Sequence, residues 1–336
     1  MVADPPAFTP PYDHALAEAL ADAGHDVTLL TSRFRFGAVP RRDGYTFDDS
    51  LYPLSSRVRG RSRLRLPLRA AEHPVAQRRL ARLRADVVHV QWLAWPRADT
   101  RLRLRAPSVF TAHDLLPRRT AARTELWRRL FAKFDRVVVH SERGRDTLAA
   151  LGAEARVIPH PVFRADVGRA DDGSTVLALG AIRPYKGLPD AVEATRRVGA
   201  RLLVAGDPVG VEIPAAPHVE ARLGYLGDAE IDRALAESTL AVFPYRPELD
   251  QSGALLRALG AGVPVVAYDV GGIAEPVRRF GAGVVVEAGD VDGLAGALRT
   301  VLADPEPFRA GASKARDELT WAEAADAHIR LYEEIA

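Results

Sequence analysis

Arg183 and Lys186 stand three residues apart in LGAIRPYKGL, on a turn that follows an apolar strand and leads into a helical pattern. Two cations beside a helix start can meet a diphosphate, each charge-assisted hydrogen bond contributing roughly 1.5–3 kcal/mol. The same spacing also fits an exposed turn with both side chains in solvent. A second candidate is the stretch 243–275, FPYRPELDQSGALLRALGAGVPVVAYDVGGIAE. An apolar strand ends at Phe243, a polar loop carries Glu248, Asp250, Gln251, Ser252 and Gly253, and an amphipathic helix opens directly after it. The next strand, 264–268, ends at Gly271-Gly272 and opens another helix. Each junction leaves free backbone N–H groups at a helix start, where a diphosphate can settle. Two in succession suggest a site for a nucleotide-linked ligand; the alternative is a pair of ordinary βα turns. His113, in VFTAHD, closes a strand of the first half, where a parallel sheet carries its reactive groups. His89, inside an apolar strand, and His160, before Pro161, read as structural.

Other chemistries have no foothold. There is no HExxH, no CxxC pair, no Walker loop and no Gly-x-Ser-x-Gly elbow. No Asp-x-Asp closes a strand to hold a divalent ion, so a departing diphosphate would be stabilised by protein cations and helix amides, with no metal. Cysteine is absent, which removes disulfides and thiolate chemistry and fits a reducing compartment.

The elements that must position these residues alternate between short β-branched runs and helical patterns, as in parallel sheets with crossover helices. Strands are expected at 27–31, 87–90, 109–112, 136–140 and 156–158, and then at 176–179, 202–205, 240–243, 265–268 and 283–286. Helix 12–23 carries Leu16, Leu20 and Ala23 on one face and stops at Gly24; helix 228–237 starts on Asp228 as N-cap. Only MVADPP precedes the first loop, and so short a central strand is expected to leave neighbouring backbone groups unpaired. That reads as a late start at Met1, with several apolar residues missing before it. The segment 163–174 lacks periodicity and is the linker candidate.

The chain has 336 residues, of which 47% are hydrophobic, enough for two α/β domains. Its net charge of +2 hides a division: residues 1–165 hold 29 Lys+Arg against 17 Asp+Glu, and residues 166–336 hold 17 against 27. The basic excess is densest at 57–84 and reads either as a solvated Arg face or as a surface for an acidic acceptor or anionic membrane. Few aromatics are interleaved there, so no nucleic-acid partner is expected.

Together these segments resemble the retaining nucleotide-sugar glycosyltransferases of family 4. The resemblance spans ALADAGHDVTLLTS, DVVHVQ, VFTAHDLLPR, RVIPHPVF, LGAIRPYKGL, LLVAGDP, GYLGDAEI, the 243–275 stretch and LTWAEAADAHIRLYEEI. It implies an α/β protein of the GT-B fold, two Rossmann-like doubly wound domains facing across a cleft: an acceptor domain at 1–165, a nucleotide-sugar domain at 166–319 and a last helix at 320–336 crossing back to the first. Lys186 resembles the family's diphosphate-binding lysine, with Arg183 assisting, although the commoner arginine position is Ala181. His113 resembles the histidine facing the transferred sugar. Gly206, Asp207, Tyr225 and Leu226 match the loops around the nucleoside base, and the amides of Gln251, Ser252, Gly253 and Ala254 match those that hold phosphate and sugar. The family's paired glutamates fall here at Leu249 and Arg257, in an Asp-Gln-Ser-Gly version of the loop. Asp250, flanked by Glu248 across Leu249, becomes the candidate sugar contact. On the acceptor side Pro11, Tyr12 and Asp13 occupy a loop without the usual glycine pair.

The resemblance implies a metal-independent, retaining transferase with no cofactor, using a nucleotide-diphosphate sugar and a carbohydrate, lipid-linked or small-molecule acceptor. A cytoplasmic location is expected from the absent cysteine, and peripheral contact at the inner membrane face from the basic first half. Two other readings stay open: another GT-B enzyme, an epimerase or phosphorylase, and a non-catalytic nucleotide-sugar-binding partner.

Overall fold

A computed structural model describes all residues except 38, 40–42, 59–61, 117–119, 121 and 247–250. The chain divides into two units, Met1–Pro159 with Trp321–Ala336, and His160–Thr320. The division therefore falls at Pro159, before the expected boundary at 165, and the last helix begins its return to the first unit at Trp321.

In the first unit the described elements are β1 (Val2–Asp4), α1 (Pro10–Asp22), β2 (Thr28–Ser32), β3 (Thr46–Leu51), α2 (Arg65–Ala81), β4 (Val88–Val90), α3 (Pro96–Asp99), β5 (Ser108–Thr111), α4 (Thr124–Phe131), β6 (Arg136–Val139), α5 (Glu142–Ala149) and β7 (Arg156–Val157). Among the described residues the strands form one sheet in the order β3-β2-β1-β4-β5-β6-β7, with every printed pairing parallel. Runs such as VHV and RVVV suit such a sheet because its central strands are covered on both faces.

The short first strand corrects an expectation. Val2, Ala3 and Asp4 pair with Leu29, Leu30 and Thr31 of β2, while Val2 and Ala3 pair with His89 and Val90 of β4. The Met1 amino group donates to the Val87 carbonyl at 2.8 Å, and the His89 N–H donates to the Met1 carbonyl at 2.8 Å. The backbone groups expected to lack partners are paired, because two long-range neighbours converge on three residues.

The second unit contains β8 (Thr175–Leu179), a single 3₁₀ turn (Pro184–Lys186), α6 (Leu188–Val198), β9 (Arg201–Gly206), β10 (Val219–Leu223), α7 (Asp228–Ala236), β11 (Leu240–Phe243), α8 (Gly253–Gly260), β12 (Val265–Tyr268), α9 (Ala274–Phe280), β13 (Gly283–Val286), α10 (Val291–Ala303) and α11 (Glu306–Glu318). Its strand order is β10-β9-β8-β11-β12-β13, again parallel throughout. Both sheets reverse direction of winding once, beside β1 and beside β8, and such switch points are where open α/β sheets bind ligands. The chain's last helix, α12 (Trp321–Glu333), packs its Ala325 face with Tyr12, Leu16 and Leu20 of α1.

Three elements were not expected from periodicity. β3 reads TFDDSL and β10 reads VEARL, both edge strands with polar, half-exposed faces. α2 occupies the basic stretch and carries Pro74 inside it, which breaks the apolar pattern; only His73, Ala76 and Leu80 are buried. Helix α7 also starts one residue differently, with Gly227 as N-cap and Asp228 inside the first turn.

The segment 163–174 has no regular structure, but it is held along the second unit. The Ala165 N–H donates to the Gly260 carbonyl at 3.2 Å and the Ala170 N–H to the Ala236 carbonyl at 2.9 Å. Asp171 takes Arg309 Nη2 at 3.1 Å. Gly260 admits this approach, since a Cβ there would lie 2.1 Å from the Phe163 carbonyl oxygen. Gly260→Ala is therefore expected to cost about 1–3 kcal/mol by overpacking, read as a lower urea midpoint of the full chain.

Candidate active site

In the second unit the site is built at the switch point between β8 and β11. Gly180 follows β8 in the left-handed region at φ +92° and its N–H donates to the Ala205 carbonyl at 2.8 Å. Gly187 closes the Lys186 turn at φ +65°, and a Cβ on it would sit 1.9 Å from the Pro244 carbonyl oxygen. The loop after β8 thus packs, backbone against backbone, on the loop after β11. Glycine is required because no side chain fits and the turn needs positive φ.

That contact places the Lys186 amino group. It donates to the Leu179 carbonyl at 3.1 Å and lies 5.0 Å from the centroid of the Tyr245 ring. A Cβ added at Gly180 would lie 3.2 Å from Lys186 Nζ and 3.5 Å from Ala254 Cβ, so the ammonium stands beside the first turn of α8. Ser252 caps that helix, its Oγ accepting from the Leu255 N–H at 3.3 Å and lying 3.2 Å from the Tyr245 hydroxyl. Gly253 and Ala254 open the helix, and Gln251 is half-buried just before it. A desolvated ammonium and a capped helix start therefore share one small space. Burial, with a smaller push from Arg183, lowers the Lys186 pKa to about 8.

The remaining donor-side candidates lie around this core. Arg183 is exposed at the start of the turn and makes no ion pair among the described residues. Gly206 presses on the Gly180 carbonyl, where a Cβ would stand 2.2 Å from the oxygen. Asp207 is exposed, and its carbonyl accepts from the Ile182 N–H at 2.8 Å. Tyr225 is exposed and Leu226 half-buried on the core. Glu248 and Asp250 lie outside the described residues, as does Leu249. Arg257 pairs with Asp228 at 2.5 Å and sits 5.6 Å over the Phe163 ring. Asp228 thus brings a carboxylate to this position from another helix, which no motif spacing announces.

In the first unit, His113 stands after β5 in an aromatic nest. It stacks on Trp92 at 5.4 Å between centroids and meets the edge of Tyr12 at 4.7 Å. His113 Nε2 lies 2.8 Å from Gln91 Oε1, His113 Nδ1 lies 3.2 Å from His140 Nε2, and His140 Nδ1 lies 2.9 Å from the Ile158 carbonyl. A carbonyl only accepts, so His140 carries its proton on Nδ1. Burial lowers the His140 pKa to about 4, which keeps the ring neutral and leaves Nε2 as acceptor. His113 must then donate from Nδ1, and in the neutral ring that tautomer presents an Nε2 lone pair to Gln91. The buried Gln91 Nε2 has no hydrogen-bond partner on its own side, and the amide turned over gives the neutral His113 ring that donor.

Pro11 is exposed, whereas Tyr12 and Asp13 are buried. Asp13 lies beside Asp4, and burial pushes both carboxyls up, Asp13 further because Asp4 is next to it. Asp4 Oδ2 accepts from the Phe8 and Thr9 N–H groups at 2.7 and 3.1 Å. A cavity of about 140 Å³ opens alongside, lined by Pro10, Asp13, His14, Thr31, Ser32 and Phe47 among others. His89 and His160 are structural in their contacts, with Thr111 Oγ1 2.7 Å from His89 Nε2 and the Pro161 carbonyl 2.7 Å from His160 Nδ1. Gln91, Trp92 and His140 were not singled out from the sequence, because each follows a strand without a motif around it.

Two family models match the chain: Glycosyltransferase Family 4 over residues 12–164 and Glycosyl transferases group 1 over residues 173–304. The chain belongs to the family 4 glycosyltransferases. It is 30% identical over 299 residues to the D-inositol 3-phosphate glycosyltransferase of Geodermatophilus obscurus, covering 74% of this chain and 66% of that protein. The chain thus spans about two thirds of that relative's length. In fold it is similar to the sucrose-phosphate synthase of Thermosynechococcus elongatus, with a TM-score of 0.75 at 19% identity, covering 95% of this chain and 91% of that one. It is also similar to Anabaena HepE in complex with UDP and glucose, with a TM-score of 0.71 at 16% identity and 99% of each chain covered. These are GT-B folds, and the two parallel α/β units of this family 4 chain are of that class.

The buried ammonium has a thermodynamic signature. Its folded pKa is below the unfolded value of 10.5, so the folded state pays to keep it charged at any pH below about 8. Lys186→Met is expected to stabilise the chain by about 1–3 kcal/mol at pH 7. The gain should fade as pH rises from about 8 to 10.5, where wild type sheds the proton; denaturation series at several pH values check it.

Proposed function

We propose that this chain moves a glycosyl group from a nucleotide-diphosphate sugar to a hydroxyl of a carbohydrate, lipid-linked or small-molecule acceptor, with retention and without a metal. The observation that carries the reading is the Lys186 ammonium held beside the first turn of α8 at a sheet switch point. A diphosphate seated there meets a cation that has already lost much of its water, together with the helix's first amides. Both favour the leaving group more as its charge develops than in the ground state, and such preorganised stabilisation is the main catalytic contribution we assign. Arg183, exposed at the mouth of the same turn, supplies a second charge.

In this reading the second unit binds the donor and the first the acceptor. Asp207, Tyr225 and Leu226 lie by the nucleoside, the amides from Gln251 to Ala254 by phosphate and sugar, and Asp250 by the sugar hydroxyls. HepE is described with UDP and glucose, which makes UDP-glucose the first donor to try. On the first unit His113 is the polar group we assign to the transferred sugar, oriented by His140 and Gln91. The departing phosphate oxygen takes the acceptor's proton, so retention needs no separate strong base. A cytoplasmic location belongs to the same proposal.

Lys186→Ala is expected to lower turnover with UDP-glucose and an accepted sugar by about 10²–10³-fold while the chain stays folded. Near-wild-type turnover would sink the reading. In wild type, kcat/KM reports the free enzyme and should fall above pH about 8, because the required form is the protonated one. Lys186→Arg, if active, should lack that alkaline limb.

A further inference from the structure

Three arginines of the first unit converge at one place. Arg35 follows β2, Arg65 opens α2 and Arg69 lies one turn further along. Arg65 is within electrostatic range of the other two, and Arg35 of Arg69. All three have lowered pKa values, by burial first. The Arg69 guanidinium lies 4.5 Å over the Tyr52 ring. Tyr52 is a firm base: it is buried, holds φ +52°, and its hydroxyl lies 2.8 Å from His73 Nδ1. His73 Nε2 in turn is 3.2 Å from Asp99 Oδ1. Arg35 Nη1 donates to the Val58 carbonyl at 3.2 Å.

The acids nearby are already in use. Glu72 accepts from the Leu54 and Ser55 N–H groups at 2.6 and 3.0 Å. Asp99 accepts from Gln77 Nε2 at 3.1 Å and from the Trp95 N–H at 2.7 Å, besides meeting His73. Asp4 accepts two backbone N–H groups, and burial works against its charge. Among the described residues neither Arg65 nor Arg69 makes an ion pair, and Arg65 Nε and Arg69 Nη2 are buried with no hydrogen-bond partner. A solvated arginine face does not account for this, because those two nitrogens are out of solvent. Buried donors without acceptors in a folded protein call for a partner that is not part of the chain.

Convergent guanidinium forks fit the oxygens of a phosphate group. Arg69 is within electrostatic range of Asp4, which ends β1 at the switch point of this sheet, so the cluster lies by the ligand-binding edge. We infer that Arg65 and Arg69, with Arg35 beside them, bind a phosphate-type oxyanion carried by the acceptor. Only the word acceptor rests on the transfer reading; the anion site rests on the arginines. Leu64 and Leu66, on either side of Arg65, are 69% and 70% exposed, so a lipid headgroup and a water-soluble phosphate are both sources of this chemistry.

The test uses the full chain with Lys186→Ala, so that phosphate at the donor site does not contribute. Calorimetry with inorganic phosphate at low salt should show saturable binding, about tenfold or more weaker after Arg65→Gln with Arg69→Gln. The charge-matched control, Arg78→Gln on the exposed side of α2 with Arg82→Gln just after it, should bind as before. Arg69→Gln alone guards against a double variant that fails to fold. Pelleting with phosphatidylglycerol against phosphatidylcholine vesicles separates the sources: loss of the phosphatidylglycerol preference in the double variant assigns a headgroup, and its retention assigns a soluble phosphate. No phosphate binding, or equal loss in the control, overturns the site. Thermal stabilisation by UDP, measured with Lys186 restored, should survive in the arginine variant; if wild type itself is not stabilised, the donor reading fails while the arginine result stands.

Discussion

One backbone contact organises the second unit: the turn at Gly187 resting on the Pro244 carbonyl. Any side chain at Gly187 would force the loops after β8 and β11 apart, since a Cβ would approach that oxygen to 1.9 Å. Lys186 is the residue before Gly187, so its ammonium is carried into the space between Gly180 and Ala254 by main-chain geometry. An ammonium held this way does not need to be ordered by its ligand, and it has been partly desolvated before any ligand arrives. That is costly for stability, and on the proposed transfer reading it favours catalysis, the usual tension at a preorganised site.

The first unit handles charge in the opposite manner. Its interior holds His89, His140 and His328 with lowered pKa values, and Asp4 and Asp13 with raised ones, in each case through burial first. These groups are held toward their neutral forms, which suits binding and orientation through hydrogen bonds. Its α2 arginines are mostly exposed, apart from the partly buried Arg65 and Arg69.

Much of this was legible in the sequence wherever a strand is buried on both faces. Runs such as LAVF and VVAY announce their strands. The LGAIRPYKGL turn suggests a cation beside the helix it leads into, whereas Lys186 Nζ stands by the first turn of α8. β3 and β10 were missed because edge strands mix polar with apolar residues and so lack a clear period. α2 was missed because Pro74 and its many arginines hide a face that buries only three residues. His140 and Gln91 could not be found by spacing at all, since their partners, Ile158 and His113, meet them through the sheet. Non-local pairing also explains β1: three residues suffice when both neighbouring strands are long-range in sequence.

Arg257 shows how far a departure from the family pattern can be absorbed. It lies in the last turn of α8, where a cation is favoured by the helix dipole. Asp228 lies in the first turn of α7, where an anion is favoured. Their ion pair is thus supported at both ends by backbone charge, and the Phe163 ring covers the guanidinium. Nothing in the surrounding fold is asked to compensate a buried unpaired charge. The reversal is consequently local: it alters what a ligand meets at that position, replacing a lone carboxylate by a carboxylate already bound to a guanidinium. An acid so paired is a weaker acceptor for a sugar hydroxyl than a free one, because its lone pairs are shared. On the proposed transfer reading, affinity forgone at that position has to come from the Lys186 side of the site, where the ammonium stands beside the first turn of α8.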